Sequence, residues 1–249
     1  MNLSFADFKL HHQLSESKVW DWFYQLHHAK LEVKNPAIAK QKLKRIMQAT
    51  FKLSHDKGFA LMTLRDLARQ SDLSLGGIYS YIGSKEQLAL MIHQFLPFVF
   101  SKTLTRHPEQ PLSQSNLAKE NCVAERARAA LITFICEHLY LSEWLTPWFF
   151  FAFMEAKYSS PKIRKVALEN ESTTQQVLFE RVANVSIASH HELSQQSALL
   201  VAMNIKSLLQ SWYLKRPIYH KQKVTVDDYA NHLAQLINRG IIDGNGQSK

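Results

Sequence analysis

The sequence predicts an all-α protein, and three observations carry that expectation. Glycine and proline are scarce, seven of each in 249 residues, so few positions break a helix. Apolar residues make up 46% of the chain, and runs that alternate apolar with polar side chains are almost absent. Long stretches such as Cys122 to Leu141 consist largely of strong helix formers. At 28.8 kDa the chain can bury one large core or two moderate ones.

Met1 to Asn35 forms an extension. Within it Val19, Trp20, Trp22, Phe23 and Leu26 follow Ser15 and Ser17 as an amphipathic helix whose rings must be buried, either on its own protein or, as an arm, against a partner. The pairs His11-His12 and His27-His28 are metal ligands in principle, but neighbours on a helix point about 100° apart, so neither pair makes a site and no metal is expected. Pro36 to Lys57 reads as one helix, with Leu43, Ile46, Met47, Thr50 and Leu53 inside and Lys40, Lys44 and Lys52 outside. Thr63 and Asp66 approximate a capping box for a short helix to Ser71, on which Leu64, Leu67 and Ala68 share one face. Asp72 sits where the chain must turn sharply, and Asp tolerates the left-handed conformation. Ser74 then caps a second short helix with Leu73, Ile78 and Ile82 on its apolar side, leaving Leu75, Gly76, Gly77, Tyr79 and Ser80 facing out.

Two adjacent glycines each cost a helix interior about 1 kcal/mol relative to alanine, so a close approach to the backbone is implied there. The net charge of +9 favours an anionic partner. Nine basic residues against three acidic ones lie between Pro36 and Lys85, so the charge coincides with these helices. A DNA groove satisfies both observations.

The run from Ile46 to Ile92 resembles the N-terminal domain of the TetR family of bacterial transcriptional regulators. The residues that carry the likeness are the amphipathic first helix, the Lys57-Gly58-Phe59 stop, the Thr63 to Ala68 helix, the Ser74-x-Gly76-x-Ile78-Tyr79-x-Tyr81 segment and the Ser84-Lys85-Glu86-x-Leu88 start of the next helix. Ile82, where an aromatic is usual, and Gly83, where a basic or small polar residue is common, depart from the pattern. The resemblance implies a helix-turn-helix in which Thr63, Tyr81 and Lys85 grip phosphates, while Leu75, Gly76, Gly77 and Tyr79 face base edges, with Ser74 and Ser80 in the same surface. It also implies domains over residues 1–35 (extension), 36–83 (three-helix DNA-binding domain) and 84–249 (helical regulatory and dimerisation domain). The arm, if it is one, would reach DNA or a second subunit: Lys30 and Lys34 favour that, Asp21 and Glu32 oppose it.

Ser84 opens a further helix that runs towards Leu96 and is stopped by Pro97; in the family this helix links the DNA-reading domain to the regulatory one. Ser101 to Glu120 reads as a polar loop. Helices follow over Cys122 to Leu141, Trp144 to Tyr158, Pro161 to Ile187, Glu192 to Trp212 and Val226 to Ile241. The aromatic Trp144 to Tyr158 helix is core on most sides, and a regulatory domain must also enclose a cavity. His138, Trp144, Trp148, Phe149, Phe151 and Glu155 are the residues expected to line it. Lys162, Arg164 and Lys165 stand either at its mouth or in solvent. The stripe of Leu193, Ala198, Leu200, Val201, Ile205, Leu208 and Leu209 is wider than one subunit needs, as for a dimer interface. Trp212 to Arg216 and Val224 to Tyr229 look like the C-terminal region of TetR-like regulators that respond to fatty acyl-CoA.

Cys122 and Cys136, fourteen residues apart on one helix, lie about 21 Å from each other and cannot pair. No signal peptide, membrane-spanning run, nucleophile elbow, phosphate loop or metal set is present in the sequence, which points to a cytoplasmic protein that is not an enzyme, with no catalytic residues and no cofactor. The expected function is a homodimeric transcriptional regulator, a repressor of a double-stranded DNA operator under control of a small apolar effector such as an acyl-CoA. An effector-independent architectural DNA-binding protein is the rival reading.

Overall fold

The computed structural model describes residues 4–33, 35–104, 117–190 and 193–238, and every regular element among them is helical. In chain order the helices are α1 (Phe5–His11), α2 (Glu16–His27), α3 (Pro36–Lys57), α4 (Leu64–Ser71), α5 (Leu75–Tyr79), α6 (Lys85–Thr103), α7 (Leu117–Trp144), α8 (Thr146–Met154), α9 (Pro161–Ala188), α10 (Gln195–Leu214), α11 (Arg216–Lys221) and α12 (Val226–Leu236). They fall into two compact units. A head unit takes Lys9–Lys102 and Leu145–Asn170, and a body unit takes Met1–Phe8, Thr103–Trp144 and Glu171–Lys249. The head unit is thus larger than the 36–83 segment expected from sequence.

In the head unit α3 starts where Asn35 Oδ1 accepts from the amides of Ala37 and Ile38, with Pro36 in the first turn, and it stops at Gly58, whose φ of +82° suits glycine. α2 lies against α3. Ser15 caps it, Val19, Phe23 and His27 are buried, and Asp21 and Glu16 pair with Lys40 and Lys44 of α3 at 2.7 and 2.5 Å. The extension therefore packs on its own protein. Its last residues also touch the helix-turn-helix, since the Glu32 amide donates to the Ser80 carbonyl at 3.4 Å.

α6 corrects the expectation of a stop at Pro97: the helix continues through it to Thr103. Proline lacks the N–H that would bond the carbonyl of His93 four residues earlier. That carbonyl instead accepts from Asn170 Nδ2 of α9 at 2.8 Å, so the gap in the ladder is filled from another helix.

The aromatic stretch also differs from expectation. The chain breaks at Leu145, and α8 begins with Pro147 in its first turn, a position where a missing N–H is tolerated. Trp148 of α8 is 3% exposed and packs its ring 4.6 to 5.1 Å from those of Phe23, Phe51 and Phe95. Of the segment 101–120, residues 101–103 end α6 and 117–120 begin α7, while residues 105–116 of the expected loop lie outside the described set.

In the body unit α7 packs against α10 and α12, and the buried side chains of the unit include Leu131, Phe134, Ile135, Leu178, Val182, Ile205 and Leu209. Glu143 of α7 accepts from Trp212 Nε1 at 3.0 Å and from Arg216 Nε and an Nη at 2.9 and 2.6 Å. Trp212, Tyr219 and Tyr229 form one ring cluster with centroids 5.0 to 5.3 Å apart. A capping box at Thr225 and Asp228 starts α12. α1 belongs to this unit at its start: the Phe5 amide donates to Asp227 at 2.8 Å and Phe8 is buried against Tyr140. Residues 122 and 136 both lie on α7. Burial, aided by Glu137 and Asp227, pushes the Cys136 thiol up to about 11, so it behaves as an apolar group.

Candidate nucleic-acid interface

The turn between α4 and α5 is built by local chemistry that the sequence displays. Thr63 Oγ1 accepts from the Asp66 amide at 3.1 Å while Asp66 Oδ2 accepts from the Thr63 amide at 3.0 Å, a complete capping box. Asp66 also takes Lys57 at 2.5 Å, and Lys57 followed by Thr63 drives its carboxyl far below the usual range. Asp72 adopts φ 53°, ψ 49°, the left-handed geometry expected of it. From α3, Arg45 donates to the Ser71 carbonyl at 2.8 Å, the Asp72 carbonyl at 2.6 Å and the Asp72 carboxylate at 2.5 Å, which pins the turn. Ser74 then caps α5 by accepting from the Gly77 amide at 3.0 Å.

On α5, Ile78 faces inward, and Ile82 just beyond is buried too. Gly76 and Tyr79 are exposed, Tyr79 by 50%, whereas Leu75, Gly77 and Ser80 are half-buried. Thr63 is exposed, with its hydroxyl committed to Asp66 at 2.7 Å.

Two of the expected phosphate contacts sit elsewhere. Tyr81 is only 3% exposed and its hydroxyl is enclosed, so its ring anchors the end of α5 and the side chain does not reach the surface. Lys85 directs its ammonium into the end of the α3–α4 connection, donating to the carbonyls of Phe59, Ala60 and Met62 at 2.9, 2.8 and 3.0 Å, over the Phe59 ring. All three of its protons are engaged, so a phosphate gains Lys85 only if a carbonyl loses it.

The basic surface is likewise thinner than composition implies. Lys40, Lys44, Arg45, Lys57 and Arg69 each hold an ion pair within the head unit. Among the described residues of this segment Lys42, Lys52 and Arg65 hold none and are the cations left for an outside anion. The pairs of Lys40 and Lys44 depend on where α2 lies, whereas the i,i+3 pair of Arg69 with Asp66 is visible in the residue spacing.

The residues expected to line an effector cavity are divided between the two units. Trp148, Phe149, Phe151 and Glu155 belong to the head unit, and His138 and Trp144 to the body unit. The rings are core: Phe151 packs 5.0 Å from Phe59, and Phe149 5.9 Å from Phe100. Glu155, 7% exposed, accepts from Ser54 of α3 at 2.5 Å, tying α8 to α3. His138 is buried in the body, and burial followed by the charge of Lys206 holds its imidazole neutral. An aromatic circumference signals burial but not what the helix is buried against, and here rings of α2, α3 and α6 pack on Trp148 of α8.

A capped helix-turn-helix on a three-helix head, followed by an all-helical body, is the architecture of a DNA-binding transcriptional regulator. Residues 46–92 match the family described as "Bacterial regulatory proteins, tetR family". Solved structures carry the likeness beyond the head. PfmR, a TetR family transcriptional regulator from Thermus thermophilus, superposes with TM-score 0.56 at 21% identity, over 79% of this chain and 98% of that one. The transcriptional regulator FadR from Bacillus subtilis, in complex with stearoyl-CoA, gives 0.54 at 15% identity, over 80% and 98%. The fatty acid degradation regulator FadR from Bacillus halodurans gives 0.53 at 14%, over 84% and 98%. At these identities the likeness is one of fold. No curated protein sequence matches the chain.

Proposed function

We propose that the protein acts as a homodimeric repressor that reads two half-sites of a double-stranded operator with α5, and that a small apolar effector sets its DNA affinity. The observation that carries this reading is the outward face of α5, where Gly76 meets open space and Tyr79 is half exposed beside it. A bare backbone next to a tyrosine hydroxyl suits close entry into a major groove and contact with base edges. Lys42, Lys52 and Arg65 supply the sequence-independent attraction. Pairing of two copies is supported by α10, which leaves Leu199, Leu200 and Met203 exposed by 42, 53 and 49% along one stripe. An acyl-CoA is the first effector to try, since the B. subtilis structure of similar fold holds stearoyl-CoA. The effector acts only through its difference in affinity between the DNA-competent and DNA-incompetent states.

Selection of genomic fragments by the purified protein, followed by fluorescence anisotropy on the enriched sequence, tests the reading. One preferred sequence with two-fold symmetry is expected. Tyr79→Ala should change the ranking of sites, and a uniform loss over random sequences would remove Tyr79 from base reading. Met203→Glu should convert the dimer to a monomer by analytical ultracentrifugation and abolish half-site cooperativity. If no compound in an acyl-CoA and amphiphile panel shifts either the melting temperature or the DNA affinity, the effector-independent architectural reading replaces this one.

A further inference from the structure

The body unit encloses a cation that the DNA-reading function does not use. Lys206 stands on α10 and is 7% exposed. Its Nζ lies 3.5 Å from Glu171 Oε2 of α9, while the other oxygen of Glu171 accepts from Gln210 Nε2 at 2.7 Å. His138 of α7, 1% exposed, lies near enough for the Lys206 charge to help keep it neutral. One turn away on the same helices stand the buried side chains of Phe134, Ala202 and Leu209.

Desolvating an ammonium is offset only by close, well-oriented anion contacts. A charge-assisted N–H···O bond is about 2.7–2.9 Å long, and the Glu171 oxygen stands outside that range. Glu171 is itself 46% exposed, so much of its charge is spent on solvent. Burial accordingly pulls the Lys206 ammonium below its ordinary range, with Glu171 opposing that only in part. An anion arriving on a separate molecule is free of the α9 backbone and can close the distance that Glu171 leaves open.

We propose that Lys206 anchors the carboxylate of an apolar monocarboxylic acid, which takes the place of Glu171 against the ammonium. The apolar neighbours select a tail without charge, and the burial of Lys206 selects a compact head group over the large polyanionic head of a CoA thioester. The proposal rests on the effector-controlled reading and narrows its ligand class to the free acid. Asn170, the residue before Glu171 in the chain, is the side chain that satisfies the His93 carbonyl beside Pro97 of α6.

The test titrates the full-length protein with hexadecanoic acid, hexadecan-1-ol and hexadecanoyl-CoA below their micellar concentrations. Calorimetry reads binding, and anisotropy on the selected operator reads DNA affinity. The acid is expected to bind at least tenfold more tightly than the alcohol. Lys206→Met should reduce that preference to less than threefold while leaving the alcohol bound as before. Glu171→Gln, which removes the competing charge and keeps the lysine, should tighten the acid at least threefold; it decides the matter if Lys206→Met does not fold. Equal binding of acid and alcohol, a preference that survives Lys206→Met, or no gain in Glu171→Gln overturns the anchor. If hexadecanoyl-CoA binds and shifts DNA affinity while the acid does neither, the effector reading stands and the Lys206 anchor falls. If the acid binds through Lys206 without changing DNA affinity, the anchor stands and effector control falls.

Discussion

A methyl group added at Gly76 would meet no heavy atom within 4 Å, whereas one added at Gly77 would lie 3.1 Å from the Ser74 hydroxyl that caps α5. The two glycines are therefore there for different reasons, one outward and one inward. Gly76→Ala should raise stability by up to about 1 kcal/mol through helix propensity and weaken operator binding at the same time. Gly77→Ala should lower the melting temperature by disturbing the cap. Circular dichroism melts beside anisotropy titrations separate the pair; loss of stability in Gly76→Ala would contradict the open space around it. Lys85→Met keeps the stem over Phe59 and deletes three hydrogen bonds to carbonyls, so urea denaturation should show a loss of about 2 kcal/mol. An unchanged stability would mean that those bonds contribute nothing net. Thr63, Asp72 and Ser74 were readable from sequence because capping and left-handed turns obey rules that span three or four residues. Lys85 was not: its acceptors include Phe59, 26 residues earlier, and their direction is set only once α3 and α4 have docked.

At the scale of the element, α6 shows why a proline rule can fail. Helix geometry forbids one hydrogen bond at Pro97, but nothing local says whether another group will satisfy the freed carbonyl, and here the donor is Asn170, 77 residues beyond His93. Asn170→Ala should cost about 1–2 kcal/mol, the effect of leaving a part-buried carbonyl without that donor. In a Pro97→Ala background residue 97 regains an N–H, and the cost of Asn170→Ala should shrink; a double-mutant cycle by urea denaturation measures the difference. Equal costs in both backgrounds would show that Asn170 acts elsewhere. The positions of α3, α4, α9 and α10 agree with the helices expected over Pro36 to Lys57, Thr63 to Ser71, Pro161 to Ile187 and Glu192 to Trp212. The partners of α8 were not readable in the same way, because spacing reveals that its face is hidden and says nothing about what hides it, here the rings of Phe23, Phe51 and Phe95.

For the molecule as a whole, acid should be the condition that unfolds it. His27 and His93 are each 1% exposed, and burial depresses both to about 4, for His27 against the opposing hydrogen bond from its Nε2 to the Met91 carbonyl. An unfolded chain binds these protons near pH 6.5, so stability is complete above that value and declines as pH falls towards 4. At pH 5 each imidazole should remove about 2 kcal/mol relative to pH 7.5, and His93→Leu should flatten the slope by its share. A melting temperature that stays constant from pH 7.5 to 5 would contradict this. The sequence displayed these histidines but not their burial, since His27 looked like half of an adjacent pair and became a core residue only when α2 settled on α3. That docking has a practical corollary for anyone transplanting the DNA-reading module. Severed at Asn35, the piece would carry an uncovered greasy flank along α3, and Lys40 and Lys44 would be released from Asp21 and Glu16. Such a fragment would stick to nucleic acid of any sequence, and to itself, so a faithful graft must begin upstream of Ser15.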